Sequence, residues 1–152
     1  MLFHKIISTG LGIGYIGKGG GTVAAVFTCF FWYFFQSGFF AEAFLYPLLF
    51  TIAITCVGIW SANKVEPLWG KDHSRVVVDE VAGMCITLLF VPISISYIFI
   101  GLILFRFFDI LKPLYIRKLE SLKGGWGVMG DDVLAGVYSN IVLQVIVLTK
   151  VI

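Results

Sequence analysis

The chain has 152 residues, of which 59% are hydrophobic and 13% charged, with a formal net charge of +2 and a mean hydropathy of +0.99. A soluble domain of this size cannot hide so much apolar surface, so lipid must be part of its solvent. The small net charge gives a nucleic-acid partner no electrostatic support, and the length suits one membrane-embedded domain over residues 1–152.

The opening segment, Met1–Gly10, carries Lys5 and lacks a long apolar core ahead of a small-residue cleavage site. A cleaved signal peptide is therefore not expected. Next, Gly12, Gly14 and Gly17 satisfy GxGxxG, and Gly12–Lys18 satisfy GxxxxGK. The first pattern needs a strand and a helix around it, and the second needs Ser or Thr where Gly19 stands, so neither applies. Two readings of Gly17–Gly21 remain. Its backbone N–H groups beside Lys18, ahead of a helix starting near Thr22, suit an anion; or the run is a glycine-rich turn capped by Thr22.

Four windows carry no charge: Thr22–Phe40, Ala43–Ala62, Met84–Phe105 and Val133–Thr149. Each approaches the ~20 residues that a helix needs to cross ~30 Å of hydrocarbon. The connection Gln36–Glu42 holds only Glu42, whereas Asn63–Gly83 and Arg106–Asp132 hold most of the charges. If Met84–Phe105 crossed, the bases Lys64, Lys71 and Arg75 would lie opposite Arg106, Lys112, Arg117, Lys118 and Lys123. The positive-inside tendency opposes that arrangement. Pro92, followed by Ser94 and Ser96, offers a break. The expected fold is all-α: about three spanning helices plus a re-entrant helical hairpin over residues 81–110, built from Val81–Val91 and Tyr97–Ile110. The serines would satisfy backbone groups freed at the turn, and a single span kinked at Pro92 is the alternative. Cys29, Cys56 and Cys85 lie in apolar stretches without ligand spacing and read as small buried hydrophobes.

Three charged motifs stand at the mouths of these helices. In Asp79-Glu80-Val81-Ala82-Gly83-Met84 the adjacent acids point about 100° apart and reach different partners. Gly83, one turn after Asp79, leaves room for a backbone or ligand. In Phe105-Arg106-Phe107-Phe108-Asp109-Ile110-Leu111-Lys112-Pro113, the charges recur every three residues on one helix face among apolar neighbours, a costly and usually functional placement. In Gly124-Gly125-Trp126-Gly127-Val128-Met129-Gly130-Asp131-Asp132, a glycine-rich loop delivers two acids to the last apolar helix, with Gly136 one turn beyond Asp132. Plainer readings are a solvated helix-start pair at Asp79/Glu80 and an Arg106–Asp109 pair with Lys112 snorkelling. Asp79, Glu80, Asp109, Asp131 and Asp132 on one side would repel unless a hard cation sits among them; oxygen ligands suit Mg2+, which commonly also holds a phosphate.

With order and spacing agreeing over roughly residues 72–136, these motifs and Gly21-Thr22-x-Ala24-Ala25 resemble the phosphatidylglycerophosphatase A family. The chain departs from the family pattern at Gly17-Lys18-Gly19, where Pro-Gly-Thr is usual. The resemblance implies an all-helical enzyme of the bacterial inner (cytoplasmic) membrane that hydrolyses phosphatidylglycerophosphate to phosphatidylglycerol and phosphate with Mg2+. Its active site would face the cytoplasm. On this reading Glu80, Asp109, Asp131 and Asp132 hold metal, and Arg106 and Lys112 neutralise the phosphoryl oxygens. Lys18 and Thr22 assist substrate binding. Asp79 or Asp132 positions or deprotonates the water, and a phosphoenzyme through an Asp stays open. A small transporter or channel subunit would instead need acids at several depths, and a scaffold would need no repeated acid pairs.

Overall fold

A computed structural model of the chain describes residues 1–38 and 44–150. The described residues contain α-helix and one 3-10 turn, and no strand: α1 Leu2–Ser8, the 3-10 turn Ile13–Ile16, α2 Gly20–Gly38, α3 Leu45–Trp69, α4 Val78–Leu88, α5 Ile95–Leu111, α6 Ile116–Leu119 and α7 Gly125–Thr149. The connection expected around Glu42 lies partly outside the described residues. α3 and α7, of 25 residues each, are long and apolar enough to cross a membrane. At 1.5 Å per residue each is about 37 Å long. α2 runs for 19 residues without a charged side chain. Outward-facing Phe30, Phe34, Ile103, Phe107 and Leu148 are all more than half exposed. Water would not tolerate such a surface, and hydrocarbon does. Cys29 and Cys85 are buried as expected, but Cys56 is exposed on α3, because that part of α3 turns outward.

The expected hairpin is α4 and α5. α4 has 11 residues, about 16 Å, or half the hydrocarbon thickness. α5 returns antiparallel to it: Gly83 lies against Phe105, and Gly101 against Thr87 and Leu88. The helix stops because Phe90 takes a left-handed φ of 60° and Pro92 disfavours helix at the residue before it. The kinked single span is therefore not formed. Ser94 does not do the work expected of it, since it heads α5 with no side-chain cap. Instead Asn140 of α7 donates to the carbonyls of Thr87 and Leu89 at 2.9 and 2.8 Å, and Gln144 donates to Leu89 at 3.1 Å. Carbonyls left open at this depth would be costly, and two amides from the neighbouring helix close them.

α4 and α7 run parallel with a constant register. Asn140 meets Thr87 at a separation of 53 residues, Gly136 meets Gly83 at the same offset, and Asp132 then falls beside Asp79. A Cβ on Gly83 would lie 2.7 Å from the Asp132 carbonyl. Both glycines are thus taken up by close helix crossing, as small residues are in membrane bundles. α7 also begins earlier than its charge-free window. Gly125, Gly127 and Gly130 are inside the helix rather than in a loop. Glycine is a poor helix former, but here it lets α7 press on α3: a Cβ at Gly125 would strike Ile59 and Asn63. The Asn63 side chain accepts the Gly125 N–H at 2.9 Å. Packing overrides propensity. α2 likewise starts at Gly20, two residues before the expected point. The core has one cluster around Met84, Leu88, Phe105 and Leu143 and another around Val65, Val78, Val128 and Met129.

Candidate active site

The parallel register brings three acids together. Asp79 and Glu80 stand in the first turn of α4, and Asp132 stands two turns into α7. Ligand oxygens of Asp79, Glu80 and Asp132 all lie within 4.8 Å of one another. Asp79 and Asp132 are only 6% and 3% exposed, and the buried Oε2 of Glu80 has no hydrogen-bond partner. Burial pushes the Asp79 carboxyl well above the usual carboxylate range, and the Glu80 charge and hydrogen bond add to that. Burial also raises Glu80, partly offset by the hydrogen bond it accepts from Asp79. Desolvated acids so close together favour protonation or a cation. The donor set is hard oxygen throughout and one oxygen is unused, so these residues fit a hard divalent ion.

α5 adds the positive charge. Arg106 pairs with Asp109 one turn on, and its charge also acts on Glu80. The Asp109 charge in turn acts on Asp132. The expected residues Glu80, Arg106, Asp109 and Asp132 therefore form one connected group. Lys112 and Asp131 form a second group beside it. Lys112 leaves α5 with a left-handed φ of 47°, and its Nζ donates to Asp131 at 2.7 Å and to Glu120. Burial pulls the Lys112 ammonium down, but the hydrogen bonds and charges of Asp131 and Glu120 outweigh it and leave it above its ordinary value. Asp131 faces Lys112 while Asp132 faces α4, as the ~100° step between helical neighbours requires.

The N-terminal loop reaches the site through backbone. A Cβ at Gly21 would collide with the Glu80 carboxylate, so the bare start of α2 lies directly against that acid. Lys18 and Thr22 are exposed at the same end; Lys18 stands between Gly17 and Gly19, with φ of 86° and 93°. His4 contacts the Ser61 hydroxyl at 3.3 Å and His73 accepts the Arg75 N–H; neither belongs to the acid group. Sequence reasoning passed over Glu120, Asn63, Asn140 and Gln144. The last two carried a signal, as amides inside an uncharged membrane window. Glu120 carried none, since its partner is eight residues away across a turn.

Comparison with known proteins points the same way. Residues 6–147 match the family model described as Phosphatidylglycerophosphatase A. A Bacteroides thetaiotaomicron protein, provisionally named a phosphatidylinositol-3-phosphatase, is 47% identical over 92% of this chain and 91% of its own length. A Haemophilus influenzae protein named Phosphatidylglycerophosphatase A is 42% identical over 63% of this chain and 61% of its own. The Escherichia coli protein of that name is 33% identical over 93% of this chain and 81% of its own. No solved structure matches the chain. The gathered acids, the helical membrane fold and these matches agree: the chain belongs to the phosphatidylglycerophosphatase A family.

Proposed function

We propose that this membrane enzyme hydrolyses the phosphomonoester of phosphatidylglycerophosphate, with Mg2+, at the cytoplasmic face of a bacterial inner membrane. The observation that carries the reading is the group Asp79, Glu80 and Asp132, three carboxylates within 4.8 Å in a chain of this family. These three would hold the ion. A divalent cation bound there would supply charge neutralisation for the phosphoryl oxygens and a more acidic water. Arg106 retains guanidinium donors beyond the one that binds Asp109, and these orient the phosphate by charge-assisted hydrogen bonds. The first N–H groups of α2, brought close by Gly21, add partial positive charge. Asp109 fixes Arg106, and its charge acts on Asp132. The bridge of Asp131, Lys112 and Glu120 braces the end of α5 against α7. One carboxylate of the group takes the proton of the attacking water. A transporter would place acids at several depths, whereas these gather at one end of the bundle.

The test is phosphate release by the purified protein in detergent with Mg2+, comparing phosphatidylglycerophosphate with phosphatidylinositol 3-phosphate. Preferential release from the first supports the substrate assigned here. Turnover of the second alone would overturn that assignment and keep the phosphomonoester chemistry.

A further inference from the structure

We infer that the seam between α2 and α5 is the lateral port and acyl-chain site of the phospholipid substrate, setting its phosphate at Arg106. This rests on the phosphatase reading above. The seam holds an apolar cleft of about 310 Å³, lined by Val26, Cys29, Phe30 and Tyr33 of α2 and by Ile95 and Ile98 of α5. Its deep end is marked by Ile95, the first residue of α5, at the level where the hairpin turns. Its upper end follows from helical register. On α5 the face of Ile98 continues at four-residue steps through Leu102 to Arg106; on α2 the face of Val26 continues one turn up to Thr22. There Gly21 abuts Glu80, the Oε2 of Glu80 is buried without a partner, and the Arg106 charge acts on the same acid. By register, the two helix faces that line the cleft thus run from mid-bilayer towards the acid group.

A rival cleft lies between α2 and α3, lined by Phe27, Phe31, Phe50, Ile54, Val78 and Val81 among others. Val81 stands about 200° around α4 from Asp79, so a lipid there would have α4 between its head group and the acids. In the α2–α5 seam the faces that line the cleft are the ones whose register leads to Arg106 and Thr22. Phe30 and Phe34, 66% and 60% exposed, flank the opening and face hydrocarbon, so the occupant that arrives there is a lipid chain.

The test uses the unmodified protein in lipid nanodiscs. Phosphatidylglycerophosphate carrying a diazirine at its acyl terminus, and phosphatidylcholine carrying the same group, are photolysed and the adducts mapped. Severalfold enrichment of the first lipid on Val26–Tyr33 and Ile95–Ile98 is expected. Equal labelling by both lipids would mean ordinary surrounding lipid and would overturn the port. Separately, Val26→Trp and Ile98→Trp should lower kcat/KM for long-chain substrate about tenfold while leaving a short-chain substrate within about twofold. Equal losses in variants of unchanged helicity, or no loss at all, would also overturn it. If the unmodified protein releases no phosphate from either chain length yet shows the enriched adducts, the phosphatase reading fails and the port stands.

Discussion

Asp131 and Asp132 are chain neighbours with different contacts, and on the proposed reading their amide variants should separate. Ligand oxygens of Asp132, Asp79 and Glu80 lie within 4.8 Å of one another, so Asp132→Asn removes a charge from the proposed cation site. A loss of about a thousandfold in phosphate release, with loss of Mg2+ binding by calorimetry, is expected. Asp131→Asn weakens the hold on Lys112, which keeps Glu120, and should cost only about tenfold, as for residues supporting a site. Equal losses would mean that Asp131 belongs among the ligands. Chelation should abolish phosphate release by the parent protein and added Mg2+ should restore it; full turnover after exhaustive chelation would remove the cation from the mechanism. The split between the two aspartates comes from helix geometry, but which one turns to α4 depends on where α4 lies. The adjacent pair was visible in the sequence and its two sets of contacts were not.

The half-length helix α4 depends on groups outside itself. Its last carbonyls are closed by Asn140 and Gln144, and Asp79 and Glu80 sit at its other end. Asn140→Leu should leave the Thr87 carbonyl without its donor and Leu89 with Gln144 alone, and lower resistance to unfolding in mixed detergent by about 1–3 kcal/mol. Phosphate release should fall with it as the α4 acids lose register with Asp132. A variant of parental stability would show that the turn caps itself. Gly136→Val tests the crossing. Its Cβ would run into the Gly83 backbone, so α4 and α7 must separate, and over-packing should cost about 1–3 kcal/mol together with most of the activity. At this scale the helices were legible because charge-free length and Pro92 are local signals. The start of α7 was misread because Gly124–Gly130 looks like a loop when its packing against Ile59 and Asn63 is unseen.

Over the whole molecule, the hairpin sets the membrane topology. α4 and α5 return to one end, so the segments before α4 and after α5 should share a side. Single cysteines replacing Asp72 and Leu122, with Cys29, Cys56 and Cys85 changed to alanine, should both react with an impermeant reagent from the same side. Labelling from opposite sides would separate Asp79 from Asp132 by a bilayer and remove the shared site. By itself the sequence determined the membrane class, the uncharged helices, the break near Pro92, the acid pairs and the family resemblance. All of these reside in composition, in spacing along one chain, or in short motifs. Only the tertiary structure decided that Asp79, Glu80 and Asp132 meet, that Lys112 serves Asp131 and Glu120, and that Asn140 and Gln144 close α4. Those pairings follow from the α4–α7 register, which two glycines more than fifty residues apart set by letting their backbones touch, and no local pattern encodes such a distance.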